Sequence, residues 1–287
     1  VLFQKDADEL IHPASMAKLM TVAVVLDMVK RGALSYDDTF YISEHAWRTG
    51  GAPSRGSTMF AELGSQVSVD DLLHSMVIQS GNDAAIAVAE GIAGSEAAFA
   101  AIMNEFADRI GMEHSHFTNP SGLPDPDMVV TARDLAQLAR YIIREFPDFY
   151  PTFSQPSFSW NGINQSNRND LVNANIGVDG LKTGHIGAAG YGVVVSGTDG
   201  GRRLVGVLHG MSSERERSDE ARKLMTWGAR SFERIPAFAA GAIVGYAKVY
   251  GGEEGHVGLI GEGSIDIYLP RGNRRCLSAN ISYSAPI

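Results

Sequence analysis

Apolar side chains run almost without a break from Met16 to Val29, with Pro13 just ahead of them and Gly32 just behind. Proline suits the first turn of a helix and glycine the position after its end, so this stretch predicts a helix. With no polar face, it belongs in the middle of a domain. Ser68 with Asp71, Thr131 with Asp134 and Ser213 with Glu216 each set a hydroxyl three residues ahead of an acid, the mark of a capped helix start. The first opens a helix through Leu72, Met76 and Val77, and the second a helix that must stop before Pro147. The third carries Leu224, Trp227 and Phe232, and one more helix follows Ser95 and closes at Gly111. Two β-rich runs, Tyr191–Ser196 and Leu204–His209, flank the turn Thr198-Asp199-Gly200-Gly201 and follow directly on Val178-Asp179-Gly180-Leu181. From Pro236 the helical period vanishes. Short alternating runs remain at Ile243–Val249, Ile265–Leu269 and Leu277–Tyr283, separated by turns such as Gly251-Gly252. The pattern predicts a large mixed α/β (α+β) domain over 1–235 and a small β-rich domain over 236–287.

Charge narrows the function. The chain carries 33 acidic against 24 basic residues, a net charge of −9. Positions 236–287 are balanced, so the acid excess sits in the larger domain. That argues against a broad basic face for nucleic acid. A single cysteine, Cys276, excludes an intrachain disulfide and any multi-cysteine metal site. His74, His114, His116 and His209 show no metal-ligand spacing, and no cofactor or metal is expected. Lys5, Asp6, Asp8 and Glu9 interrupt any apolar stretch near the start. The run Leu19–Leu26 is broken by Thr21 and far shorter than the roughly 20 residues a membrane helix needs. A chain opening on Val1 is expected to be a processed or trimmed form of something longer.

Three short motifs carry chemistry. Ser15-Met16-Ala17-Lys18 puts a hydroxyl and an amine at i and i+3, on one face near a helix start. Ser80-Gly81-Asn82 follows the capped apolar helix, and Lys182-Thr183-Gly184 lies on a predicted strand ahead of the hairpin. Ser-x-x-Lys alone arises about once by chance in a chain of this length. The three in this order, 65 and then 102 residues apart, do not. With one change they form the Ser-x-x-Lys, Ser-Asp-Asn and Lys-Thr-Gly set of penicillin-binding proteins and class A β-lactamases.

The sequence resembles the low-molecular-mass (type-5) penicillin-binding proteins of the D-alanyl-D-alanine carboxypeptidase family. Beyond the motifs, the segments from His12 to Thr21, from Val178 to His185 and from Lys223 to Gly228 read like that family. The resemblance covers the first 235 residues well, and implies a penicillin-binding/β-lactamase-like domain with a central antiparallel sheet. The tail resembles the start of the family's second domain but stops early, and the family's C-terminal amphipathic anchor, not seen within these 287 residues, is expected beyond Ile287. The implied substrate is a peptidoglycan peptide ending in D-Ala-D-Ala, with β-lactams as covalent inhibitors, on the outer face of the bacterial inner membrane. Ser15 would be the nucleophile, and Lys18 its base if burial and the charge of Lys182 keep it neutral. The helix start aims the Ser15 N–H at a developing oxyanion. The resemblance supplies the other roles: the His185 N–H as second oxyanion donor, Ser80 as proton relay and Asn82 as holder of the substrate amide. Lys182, Thr183 and Gly184 would form the strand facing the terminal carboxylate, with Arg217 and Arg168 as further cations.

Rivals share parts of the pattern. A class A β-lactamase deacylates through a Glu and an Asn with a Leu between, and none of Glu90, Glu96, Glu105, Glu113 or Glu145 is followed at that spacing. A D,D-endopeptidase cuts the same linkage in a cross-link, and a non-catalytic sensor would acylate once without turnover.

Overall fold

A computed structural model describes residues 1–187, 189–272 and Ser282. The chain divides into two compact units, Val1–Met225 and Thr226–Ile287.

In the larger unit the nucleophile region begins with a 3-10 turn, Ala14–Ala17, before α1 (Lys18–Lys30). The α-helix therefore starts later than the apolar pattern from Met16 suggests, because the first turn winds more tightly. Every residue of α1 from Lys18 to Asp27 is buried, as its lack of a polar face requires. Around it lie α2 (Glu44–Thr49), α3 (Val69–Ile78), α4 (Asn82–Ala93), α5 (Glu96–Arg109) and α6 (Ala132–Glu145). Side-chain oxygens of Ser68, Ser95 and Thr131 accept from the N–H three residues on, giving α3, α5 and α6 their starts. No capping side chain marks the start of α4, whose N-cap is Gly81 and whose first eight residues are all buried.

β1 (Thr39–Tyr41) pairs with β2 (Gln66–Ser68), and β3 (Ser157–Trp160) with β4 (Ile163–Ser166), both antiparallel. The main sheet is antiparallel, β5 (Val178–Ile186), β6 (Gly190–Asp199) and β7 (Arg202–Met211), in that order. Alternation sorts its faces. Leu181 and Val194 join the helical core, while Val193 and Val195 pack with Ala221 and Met225 of α7 (Glu214–Arg230). The sheet is thus buried on both sides, and β5 is left as an edge.

In the second unit β8 (Phe232–Phe238) pairs with β11 (Ile265–Pro270), and β9 (Ile243–Lys248) with β10 (His256–Ile260). Phe232 opens a strand rather than closing α7, so β structure begins ahead of Pro236. The expected strand at 277–283 falls outside the described residues, as does Cys276. Among the described residues, no single helix is long and apolar enough to cross a membrane, and no cluster of His, Cys, Asp or Glu could hold a metal ion.

Candidate active site

Ser15 stands half-buried in the 3-10 turn, just after Ala14, whose φ is +48°. Side chains rarely adopt that region, and such strain survives only where the surroundings over-determine it. Here they do. Gly122 packs so closely that a Cβ on it would stand 1.9 Å from the Ala14 carbonyl. On the other side a Cβ on Gly184 would stand 2.8 Å from the Pro13 carbonyl and 3.3 Å from the Ala14 Cβ. One face of β5 at Gly184 thus packs directly on the nucleophile turn, which is why Lys182-Thr183 is followed by glycine.

Lys18 is fully buried, and its Nζ lies 3.0 Å from Ser15 Oγ, 2.7 Å from Asn82 Oδ1 and 2.5 Å from the Ser121 carbonyl. Burial lowers its pKa to about 7, against a smaller opposing pull from Asp83. The partners then fix where the lone pair points. A neutral amine has two N–H donors, and the Asn82 and Ser121 oxygens can only accept. Those two take both donors, so the lone pair faces the one partner that can donate, the Ser15 hydroxyl. Burial lowers the amine as expected, but the added effect expected from the Lys182 charge is not among the causes, and the charge that acts on Lys18 is that of Asp83.

Ser80 follows α3 with φ +73°, and its buried hydroxyl has no hydrogen-bond partner among the described residues. Its N–H and that of Gly81 both donate to the Ser75 carbonyl, and a Cβ on Gly81 would stand 2.2 Å from Ser75 Oγ. This tight turn lets α3 end and α4 begin with Ser80 and Asn82 as neighbours in the site. With Oδ1 engaged by Lys18, the Asn82 Nδ2 group remains for a ligand.

The far end of the cleft is cationic. Lys182 is buried, and its ammonium donates to the Thr183 carbonyl at 3.2 Å. Its pKa lies well below the ordinary lysine value, first through burial, then through the charges of Lys18, Arg168 and Arg217. Arg217 is buried with weak partners, the Arg168 carbonyl at 3.5 Å and Asp170 at 4.0 Å. Arg168 is itself exposed, its N–H donating to the Ile78 carbonyl. Both arginines line a cavity of about 770 Å³ with Gln165, Ser166 and Asp170, whose lining includes neither Lys182 nor Ser15. The His185 ring is exposed and stacks on Tyr191, with centroids 3.8 Å apart.

Sequence reasoning missed three parts. The loop around Ser121 supplies the shortest contact to Lys18, and Asn119 Oδ1 shapes it by accepting from Ser121 N–H, Ser121 hydroxyl and Gly122 N–H. Asn-Pro-Ser-Gly reads only as a turn, and the functional atom is a backbone carbonyl. Asp83 carries no motif letter but lies at 0% exposure beside Asn82. The third part is the cluster beneath β5, where Arg203 donates to Asp179 at 2.7 Å, to Ser196 Oγ at 2.9 Å and to Tyr150 at 3.1 Å.

A half-buried serine facing a buried lysine of lowered pKa, on a helical core capped by an antiparallel sheet, defines an active-serine peptidase of the penicillin-binding kind. A family model described as D-alanyl-D-alanine carboxypeptidase matches residues 1–213, and the chain belongs to that family. It is 38% identical to D-alanyl-D-alanine carboxypeptidase DacC of Escherichia coli (strain K12) over 288 residues, covering all of this chain and 72% of that protein. Penicillin-binding protein 5 from Haemophilus influenzae superposes with a TM-score of 0.86 at 37% identity, over 95% of this chain and 79% of that one. Penicillin-binding protein D2 from Listeria monocytogenes, in its ampicillin-bound form, gives a TM-score of 0.67 at 30% identity, over 79% of this chain and 90% of that one.

Proposed function

We propose that this protein is a serine D-Ala-D-Ala carboxypeptidase that removes the terminal D-alanine from peptidoglycan stem peptides through an acyl-enzyme on Ser15. The observation that carries the mechanism is the Lys18 amine, whose two acceptor partners leave its lone pair for the Ser15 hydroxyl. Ser15 Oγ gives its proton to Lys18 and attacks the carbonyl of the penultimate D-alanine. The N–H groups of Ser15 and His185 receive the oxyanion. Ser80 passes a proton to the departing amine, whose C–N bond breaks to free D-alanine. Asn82 holds the peptide amide, and Lys182, Thr183 and Arg217 hold the terminal carboxylate, with Arg168 behind them. Water then attacks the ester with Lys18 again as base. With peptidoglycan as substrate, the working place is the periplasm, on the outer face of the inner membrane.

β-Lactams trap the same serine. Ring opening leaves the amine tethered to the acyl group, where it crowds the path that water must take. None of the glutamates between Asn82 and Lys182 has the Leu and Asn that follow the water-activating Glu of a class A β-lactamase, so penicillin should turn over far more slowly than the peptide. Release of free D-alanine from a D-Ala-D-Ala peptide is the test. Absence of turnover, with penicillin bound, would favour a sensor instead. Cleavage of cross-linked dimers in preference to pentapeptide would favour an endopeptidase, and rapid penicillin hydrolysis a β-lactamase.

A further inference from the structure

Behind the cleft, Asp83 spends a buried carboxylate on a segment that no motif includes. Its Oδ2 accepts from the Thr58 hydroxyl at 2.6 Å and from Ala61 N–H at 3.3 Å. Its Oδ1 accepts from Met59 N–H at 2.9 Å and Ala84 N–H at 3.0 Å. Burial raises the pKa of this carboxyl, and the four donors oppose that rise: every partner is a donor, the set that suits an ionised carboxylate and leaves a protonated one a donor too many. Between the two clasped amides, Phe60 is held at φ +63° with its own N–H on Thr58 Oγ1, a conformation that a bulky residue keeps only under constraint. The adjoining residue, Asn82, donates its N–H to the Ser57 carbonyl at 2.9 Å and accepts from Lys18 at 2.7 Å. Gly50 presses on the same joint, since a Cβ there would stand 2.3 Å from Asp83 N.

We propose that Asp83 is a positioning residue for the reaction: by tying the 58–61 segment to the first turn of α4, it fixes Asn82 against the Lys18 amine and places a buried negative charge behind that base. The inference rests on Lys18 acting as the base for Ser15. The charged groups that bear on this amine are Asp83 from α4 and Lys182 from β5. The 119–123 loop, the 58–61 segment and the Ser80-Gly81 turn bring only neutral side chains. Asp83 opposes the burial that neutralises Lys18, so its charge limits how far the amine's proton affinity falls. Cleft wall and base are thereby joined through one carboxylate.

The test compares the parent protein with Asp83→Asn and Thr58→Val, following acylation by a chromogenic β-lactam from pH 5 to 9, with thermal melts and intact mass on each. Asp83→Asn removes the charge and two acceptor sites. The midpoint of its acidic limb should move down by about one unit, and its plateau rate should fall about tenfold. Thr58→Val keeps the charge, so its midpoint should stay while its plateau falls severalfold. A lowered plateau with an unmoved midpoint in Asp83→Asn would make the residue merely structural and overturn the proposal, as would parent-like behaviour. If Asp83→Asn does not fold, a parent-like plateau in Thr58→Val overturns the positioning role. Failure of the parent itself to acylate on Ser15 would instead sink the reading on which the inference rests.

Discussion

Two lysines lie buried within electrostatic reach of each other, and their surroundings give them opposite work. Lys18 has three oxygens within 3.0 Å and Asp83 behind it, so its amine is held in one orientation and kept near the balance between charged and neutral. Lys182 has one backbone carbonyl at 3.2 Å and three cations as neighbours. Among the described residues only that carbonyl offsets its burial, which leaves that lysine short of an anion. A ligand carboxylate supplies what is missing, and on arrival it raises the proton affinity of Lys182 again. One setting is finished and does chemistry; the other is unfinished and binds.

The sharpest way to break this contrast is to remove each amine. Lys18→Met should lose acylation by penicillin on the order of 10³-fold or more while keeping the fold, and Ser15→Ala should take up no label by intact mass. Labelling at the normal rate in Lys18→Met would mean another base. Lys182→Met should cost about 10²-fold in kcat/KM for the peptide. Because it deletes a buried amine that has no anion to pair with, that variant should melt at or above the parent temperature, whereas loss of a completed interaction would lower it.

Smaller effects sharpen the picture. Gly122→Ala forces a Cβ against the Ala14 carbonyl and should cost about 1–3 kcal/mol of stability, seen in denaturant melts, with slower acylation. Arg217→Ala should weaken carboxylate-ended peptide roughly tenfold and leave the matching carboxamide peptide unchanged. Equal losses on both would remove Arg217 from carboxylate recognition.

What was legible in the sequence was local. The hydroxyl and amine at i and i+3, the capping pairs of α3 and α6, and the glycine turn at Gly200-Gly201 each depend on neighbours within a few positions. The three motifs announced Ser15, Ser80 and Lys182, and the structure gathers them with Lys18 and Asn82 in one cleft. The rest depends on partners far along the chain. Ser121 acts through a carbonyl 103 residues from Lys18, which no side-chain identity reveals. The segment clasped by Asp83 has no period, and the short pairs β1–β2 and β3–β4 have too few residues to show alternation. α4 is rich in alanine and buried on every side, so neither a polar face nor a capping side chain marked it. Arg168, expected as a second cation of the cleft, has an exposed side chain, and it is its carbonyl that meets Arg217.

The pH dependence of Ser15 acylation tests the central claim most directly. Below about 7 the Lys18 amine carries a proton and offers no lone pair, and above it the base is free, so the rate must rise with pH through that value. Stopped-flow acylation by a β-lactam should give a single limb with its midpoint near 7, absent in Lys18→Met. A limb near the ordinary lysine value, or a rate flat from pH 5 to 9, would contradict a neutral buried lysine as the base.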